Sequence, residues 1–275
     1  MDQKYSLAHL TVLACPPPEA IYVAARAGYD SASLRTMPLG LPGEPDYELS
    51  RNPEMLRRTK AALDATGLSI NDIELCRIVP DMNPRDYEPA FEVGAALGAG
   101  HVICSIWSAD RSYSLDMFEQ VCSIAAPYGL TIDLEYVCIA SLHTLAGAVD
   151  VLATTSADNV GLLLDLYHVH RAGTVPDELD GLPEKWFNFC HLCDAPAEIP
   201  GKIDELREEV RDGRLYVGEG DINVADILNH APEMLYSIEL PNRARRDQYG
   251  NMEHAARALE SAKKYFAGQP PPVLA

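Results

Sequence analysis

Four short stretches in the second half of the chain set a carboxylate or an imidazole into an apolar run. They are Ile132-Asp133-Leu134-Glu135-Tyr136, Leu164-Asp165-Leu166-Tyr167-His168, Phe189-Cys190-His191-Leu192-Cys193-Asp194 and Ser237-Ile238-Glu239-Leu240-Pro241-Asn242. Read as the ends of four successive strands, they put Glu135, Asp165, His191 and Glu239 in equivalent places, all facing one mouth. Three bare carboxylates gathered there would repel one another and drive their pKa values apart. A divalent cation removes that conflict. Three carboxylates and one imidazole, with room left for water or substrate oxygens, suit Mn²⁺ first, with Mg²⁺, Co²⁺ or Zn²⁺ as alternatives. The expected metal ligands are therefore Glu135, Asp165, His191 and Glu239.

Such a set needs a scaffold that aims strand ends at a common point. Apolar, β-branched runs alternate along the chain with segments of helical period. Eight strands are expected, at Leu7–Ala14, Ser31–Arg35, Ser69–Ile78, His101–Trp107, Leu130–Val137, Val160–Tyr167, Phe187–Leu192 and Leu235–Leu240. Runs such as Val160-Gly161-Leu162-Leu163-Leu164 suit strands covered on both faces, as in a parallel sheet. The helices between them start and stop on recognisable signals. Asn52-Pro53-Glu54 offers a cap residue, a first-turn proline and an acid, and that helix ends at Gly67. Eight βα units in 275 residues average about 34 each, which predicts a single (β/α)8 TIM barrel over residues 1–267. Residues 268–275, rich in proline, are expected to form a disordered tail. The long connections Pro38–Arg51 and Ala195–Asn223 fall at the active-site end of such a barrel, where a lid can form.

Composition narrows the partners. With 41 Asp+Glu against 22 Lys+Arg, the net charge is −19. That argues against binding nucleic acid through its phosphates and against attraction to anionic membranes. No run approaches the ~18 apolar residues of a membrane helix, and no signal-peptide core follows Met1-Asp2-Gln3-Lys4. The seven scattered cysteines suit reduced, buried thiols, so a cytoplasmic location is expected. Cys190 and Cys193 form a C-x-x-C, but residues three apart on a strand point to opposite faces and cannot converge on zinc. The partner expected is a small-molecule substrate.

The whole layout resembles the xylose isomerase-like TIM barrel superfamily, the sugar phosphate isomerase/epimerase family. The residues that carry the likeness are Asp165 and His168 on the sixth strand, His191 and Asp194 on the seventh, the turn Val217-Gly218-Glu219-Gly220-Asp221-Ile222, and Ser237-Ile238-Glu239. The resemblance implies a metal held by Glu135, Asp165, His191 and Glu239 that grips a carbonyl and a neighbouring hydroxyl of a sugar or sugar-like substrate. It implies proton abstraction beside that carbonyl, an enediolate intermediate, and Glu135 and Glu239 as the acid/base pair. Isomerisation or epimerisation is the expected outcome. Elimination, as in 3-dehydroshikimate or inosose dehydratases of the same superfamily, is the alternative. Barrels of this kind often pair, so a homo-oligomer is allowed.

Several further residues are expected around the site. His168 can bind a substrate oxygen or serve as the acid of an elimination. His9, Arg35 and Arg77, at the ends of the first three strands, can face the mouth. Family epimerases often place an arginine soon after the strand-seven histidine, and Ala195-Pro196-Ala197-Glu198 has none. Arg243 and Arg246, with Arg245 between them, are the alternative receivers of a substrate carboxylate or phosphate.

Overall fold

The structure, a computed structural model, describes residues 3–40 and 44–268. The strands are β1 (Tyr5–Leu7), β2 (Ser31–Arg35), β3 (Ser69–Ile78), β4 (His101–Ile106), β5 (Thr131–Glu135), β6 (Val160–Asp165), β7 (Phe189–Leu192) and β8 (Leu235–Ile238). They pair in parallel, in chain order, and β8 closes onto β1. The helices are α1 (Pro17–Ala27), α2 (Pro53–Thr66), α3 (Glu88–Ala96), α4 (Arg111–Ala125), α5 (Leu145–Thr154), α6 (Leu166–Arg171), α7 (Ile203–Asp212), α8 (Val224–Asn229) and α9 (Arg243–Ala267). This is the expected (β/α)8 barrel. Past Gly268 the expected tail lies outside the described residues. Among the described residues no helix is long and apolar enough to cross a membrane.

Strand alternation divides the interior from the sheet–helix layer. On β5, Ile132 and Leu134 join the large cluster packed under the helices, while Asp133 and Glu135 turn into the barrel. Ile103, Leu163 and Phe189 form a small apolar layer inside it. Towards the strand N-termini lies a polar layer. Asn188 Nδ2 donates to Asp133 at 2.7 Å, and His101 Nδ1 stands 2.8 Å from the same carboxylate. Gly161 faces these groups: a Cβ there would run into the Asp133 carboxylate and the Asn188 amide. The strand C-terminal ends carry the remaining polar side chains, as a barrel of this type requires.

Local signals explain the helix ends. Asn52 caps α2 by accepting from Met55 N, and Gly67 closes it at φ 69°. Two expectations are corrected. The apolar run Leu7–Ala14 is not one long strand: only Tyr5–Leu7 pairs, and His9–Val12 turns in a 3₁₀ helix. Thr11 fixes that turn, since its hydroxyl donates to Ile238 O and accepts from Leu240 N. A short apolar run fits a strand or a buried turn equally well, and tertiary bonding decided here. The helical period of Asn251–Phe266 predicts a last helix over those residues alone; the helix instead spans Arg243–Ala267 and bends at Gly250, where φ is 77°.

Helix α9 carries a buried histidine that makes stability depend on pH. His254 lies between the Tyr216 hydroxyl and Leu240 O, and burial pushes its pKa down to about 4. The folded chain holds it neutral, while the unfolded chain takes up a proton below about 6.5. Stability is therefore expected to fall as pH drops from about 6.5 towards 4, by roughly 3 kcal/mol at most from this residue. Denaturant titrations at pH 7 and pH 4.5 check it. The difference between the two should shrink in His254→Gln, and an unchanged difference would rule the residue out.

Candidate functional site

Asp165 occupies two positions in the site at once. It ends β6 and caps α6, its Oδ1 accepting from Tyr167 N at 2.8 Å and His168 N at 3.4 Å. That leaves Oδ2 aimed into the barrel mouth. The spacing Asp165-x-x-His168 follows: the cap opens a helix turn whose third residue returns to the same mouth. Main-chain pairing sets the rest. Asp165 is in register with His191, and Ser105 with Glu135. Glu239 lies one residue past β8.

These side chains converge. His191 Nδ1 stands 3.3 Å from Glu239 Oε2, 3.5 Å from Asp165 Oδ2 and 3.7 Å from Glu135 Oε1. Such spacings are long for hydrogen bonds, and both ring nitrogens of His191 are buried without a hydrogen-bond partner. The donor set matches what a divalent cation needs. Ligands about 2.1 Å from one ion lie about 3.0–3.4 Å apart, close to the spacing found. Donor atoms of Asp165, His191 and Glu239 all lie within 4.8 Å of one another, as do those of Glu135, Asp165 and His168.

The four predicted ligands do not stand alone. Arg214 is fully buried among them, donating Nη1 to Asp165 Oδ2 at 2.8 Å and placing Nη2 3.0 Å from Glu239 Oε2. It comes from further along the β7–β8 connection, beyond the stretch directly after β7 that carries no arginine. An antiparallel bridge between Asp194 and Leu215 holds it there, with Arg214 N donating to Pro241 O and Asn242 donating to Arg214 O. Nothing in the local sequence separates Arg214 from the other arginines around α7, so sequence reasoning missed it.

Arg214 makes the carboxylates unequal. Burial tends to raise Asp165, but Arg214 overrides it and holds that carboxyl well below its ordinary range. Burial opposes ionisation of Glu239 too, and His191 with Arg214 keeps it low. Glu135 has no arginine partner, and burial lifts it to about 7. His168 is pushed by burial down to about 4. Its Nδ1 faces Cys138 N at 3.4 Å as acceptor, which leaves the ring hydrogen on Nε2, 3.9 Å from Asp165 Oδ2.

Glu135, His168, His191, Arg214 and Glu239 line a cavity of 180 Å³, and Arg35 and Arg77 stand in its wall. Arg35 is committed to Glu74 at 2.9 Å and Glu44 at 3.4 Å. Two expectations are corrected. His9 does not line the cavity. Its Nδ1 accepts from Arg35 N and its Nε2 donates to Cys15 O, so it braces the wall from behind. Arg243 and Arg246 line an adjoining cavity of 740 Å³ instead, and both pair with Asp212. Arg245 turns away to Glu219. All seven cysteines are free, and only Cys138 is partly exposed.

The glycine turn has a structural role. Asp194 accepts from Gly218 N and Gly220 N at 2.9 Å and from Ile222 N at 3.0 Å. Gly218 has φ 88°, and a Cβ on Gly220 would strike Ala195 O and the Asp194 carboxylate. Asp194→Ala is expected to lower stability by about 2–4 kcal/mol, since one buried and two part-buried N–H groups lose a charged acceptor. Asp194→Asn should cost about half as much. Chemical denaturation checks both, and an alanine variant as stable as the parent would sink the account.

The family model described as xylose isomerase-like TIM barrel matches residues 21–265, and the chain belongs to that family. Among curated proteins it is 30% identical over 158 residues to an inosose isomerase of Bacillus subtilis, covering 56% of this chain and 54% of that one. The chain thus spans about half the length of the curated relatives it matches. Among solved structures it resembles the IolI protein determined with a bound zinc atom, with a TM-score of 0.78 and 21% identity over 96% of this chain and all of that one. It also resembles D-allulose 3-epimerase from Methylomonas sp. in complex with D-allulose, with a TM-score of 0.67 and 18% identity over 95% and 96% of the two chains. Those two likenesses speak for the fold.

Proposed function

We propose that the chain is a divalent-metal-dependent isomerase or epimerase acting on a sugar or a cyclic polyol ketone. One observation carries the reading: His191, with no hydrogen-bond partner, faces the oxygens of three strand-end carboxylates at 3.3–3.7 Å. The named activities of the relatives support it. Glu135, Asp165, His191 and Glu239 would hold the ion, with Mn²⁺ the first candidate and Mg²⁺, Co²⁺ or Zn²⁺ accepted by the same donors. When bound, the ion supplies Lewis acidity that makes a C–H beside a substrate carbonyl easier to ionise.

The chain's own residues then divide the work. Glu135, which no arginine holds ionised, takes the proton from the carbon beside the carbonyl. Glu135 can give that proton back at the neighbouring carbon; return on the opposite face by Glu239, a carboxylate as it stands, requires that it first take a proton, which the substrate's own hydroxyl can supply. Arg214 fixes the Asp165 and Glu239 carboxylates and presents a fixed positive charge where negative charge develops on oxygen.

Elimination of water is the second reading, and His168 favours it. Its Nε2 hydrogen lies in the cavity wall, where it can hold a leaving hydroxyl by a hydrogen bond while Glu135 passes on to that hydroxyl the proton it has taken. One experiment separates the readings. The metal-stripped protein is given Mn²⁺ and a 2-keto polyol in D₂O. Deuterium entering beside the carbonyl with an isomeric product supports the first reading, and loss of water supports the second. Neither deuterium entry nor loss of water with any of the four metals overturns both.

A further inference from the structure

We propose that the substrate of this site carries an anionic group, a carboxylate or a phosphate, received by Arg77 and Arg211. The inference deepens the reading above and names the class of molecule that the metal-centred site takes.

The charge of the wall is the first argument. The protein carries −19, yet five arginines line the 180 Å³ cavity against three glutamates. Three of the five are matched by carboxylates: Arg35 by Glu74 and Glu44, Arg214 by Asp165 and Glu239, Arg207 by Asp204. Among the described residues Arg77 and Arg211 have no carboxylate partner.

Arg77 is also built into place. The Tyr87 hydroxyl accepts from Arg77 N and donates to Arg77 O, both at 3.0 Å, which fixes the backbone at the end of β3. The guanidinium lies 4.1 Å from the centre of the Trp107 ring, and Trp107 is itself anchored by Nε1 donating to Ser105 Oγ. Stacking of this kind holds the fork rigid and leaves its edge free to meet a planar or tetrahedral anion. The Nε of Arg77 is buried with no hydrogen-bond partner. A buried donor left unsatisfied at a cavity wall calls for a ligand atom. Arg211, at the end of α7, lines the same cavity and also the adjoining one, so it closes the subsite from the side of the β7–β8 connection. Burial, and after it the neighbouring charge of Arg211, pulls the Arg77 guanidinium below its ordinary value. An anion between the two relieves both effects.

The test uses the Mn²⁺-loaded protein and matched probes: D-galacturonate against D-galactose for a carboxylate, D-fructose 6-phosphate against D-fructose for a phosphate. Calorimetry is expected to show at least one anion binding about tenfold or more tightly than its neutral counterpart. Arg77→Gln should remove most of that preference and leave the neutral probe's affinity within about twofold. Arg77→Lys, which keeps the charge and loses the fork, should fall between. Should Arg77→Gln fail to fold, Arg211→Gln, at an exposed side chain, makes the same reading. Neither anion preferred, or a preference that survives in both glutamine variants, overturns the proposal. Manganese uptake is measured on the same samples. Loss of uptake with the anion preference intact would defeat the metal-centred reading and leave this one standing.

Discussion

Glu135→Gln is expected to slow proton exchange beside the substrate carbonyl by about 10²–10⁴-fold at saturating metal. The glutamine keeps the shape of the side chain and one carbonyl oxygen that can still face the ion. What it loses is the capacity to accept a proton. Metal-dependent stabilisation should therefore weaken without vanishing, while His191→Ala, which removes the central donor, should abolish it. Deuterium exchange followed by NMR, together with melting curves with and without Mn²⁺, measures the two effects separately. Exchange at the parent rate in Glu135→Gln would remove Glu135 from the chemistry.

The expectation rests on an asymmetry that only the folded chain shows. Three carboxylates meet His191, but Arg214 touches two of them and leaves the third. Asp165 and Glu239 are held as anions by a fixed buried charge. Glu135 is not, and burial works against its ionisation. In a set of chemically similar groups, the one free to change protonation state is the natural base. Glu239 faces Arg214 and His191 together, so the same substitution there disturbs the ligand ring as well as proton return. Its loss of activity should come with a larger loss of metal affinity.

The barrel and the convergence of Glu135, Asp165, His191 and Glu239 on one mouth were legible in the sequence because strand side chains alternate with a period of two. Ile132-Asp133-Leu134-Glu135 shows one polar and one apolar face in a single strand, and the polar face points into the barrel, Asp133 towards the strand N-termini and Glu135 at the mouth. Asp165 and His168 were legible because a cap and a helix turn fix their relation locally. His9 was read wrongly for a nonlocal reason. Its partners, Arg35 N and Cys15 O, belong to the wall and the turn around it, and they use both ring nitrogens. Arg243 and Arg246 were drawn to Asp212, at the end of a helix whose docking no local pattern predicts. Arg214 depends on the Asp194–Leu215 bridge and on Asn242, which are brought together only when the β7–β8 connection folds back.

Arg214→Met should be the most informative single change to that arrangement. In the metal-free protein it strips two buried carboxylates of a partner at 2.8–3.0 Å, and breaking a buried pair from one side costs about 3–5 kcal/mol. For a chain of this size that corresponds to a melting temperature lower by about 10 °C. A divalent cation can take over the vacated neutralising role at Asp165 and Glu239, because both face His191 as well as Arg214. The stabilisation on adding Mn²⁺ is therefore expected to be larger in Arg214→Met than in the parent. Activity should fall even at full metal loading, since a fixed positive charge at the reacting oxygens is gone. An equal metal response in the two proteins would mean that Arg214 and the ion do not share these carboxylates, and that the arginine is a structural strut of the β7–β8 connection.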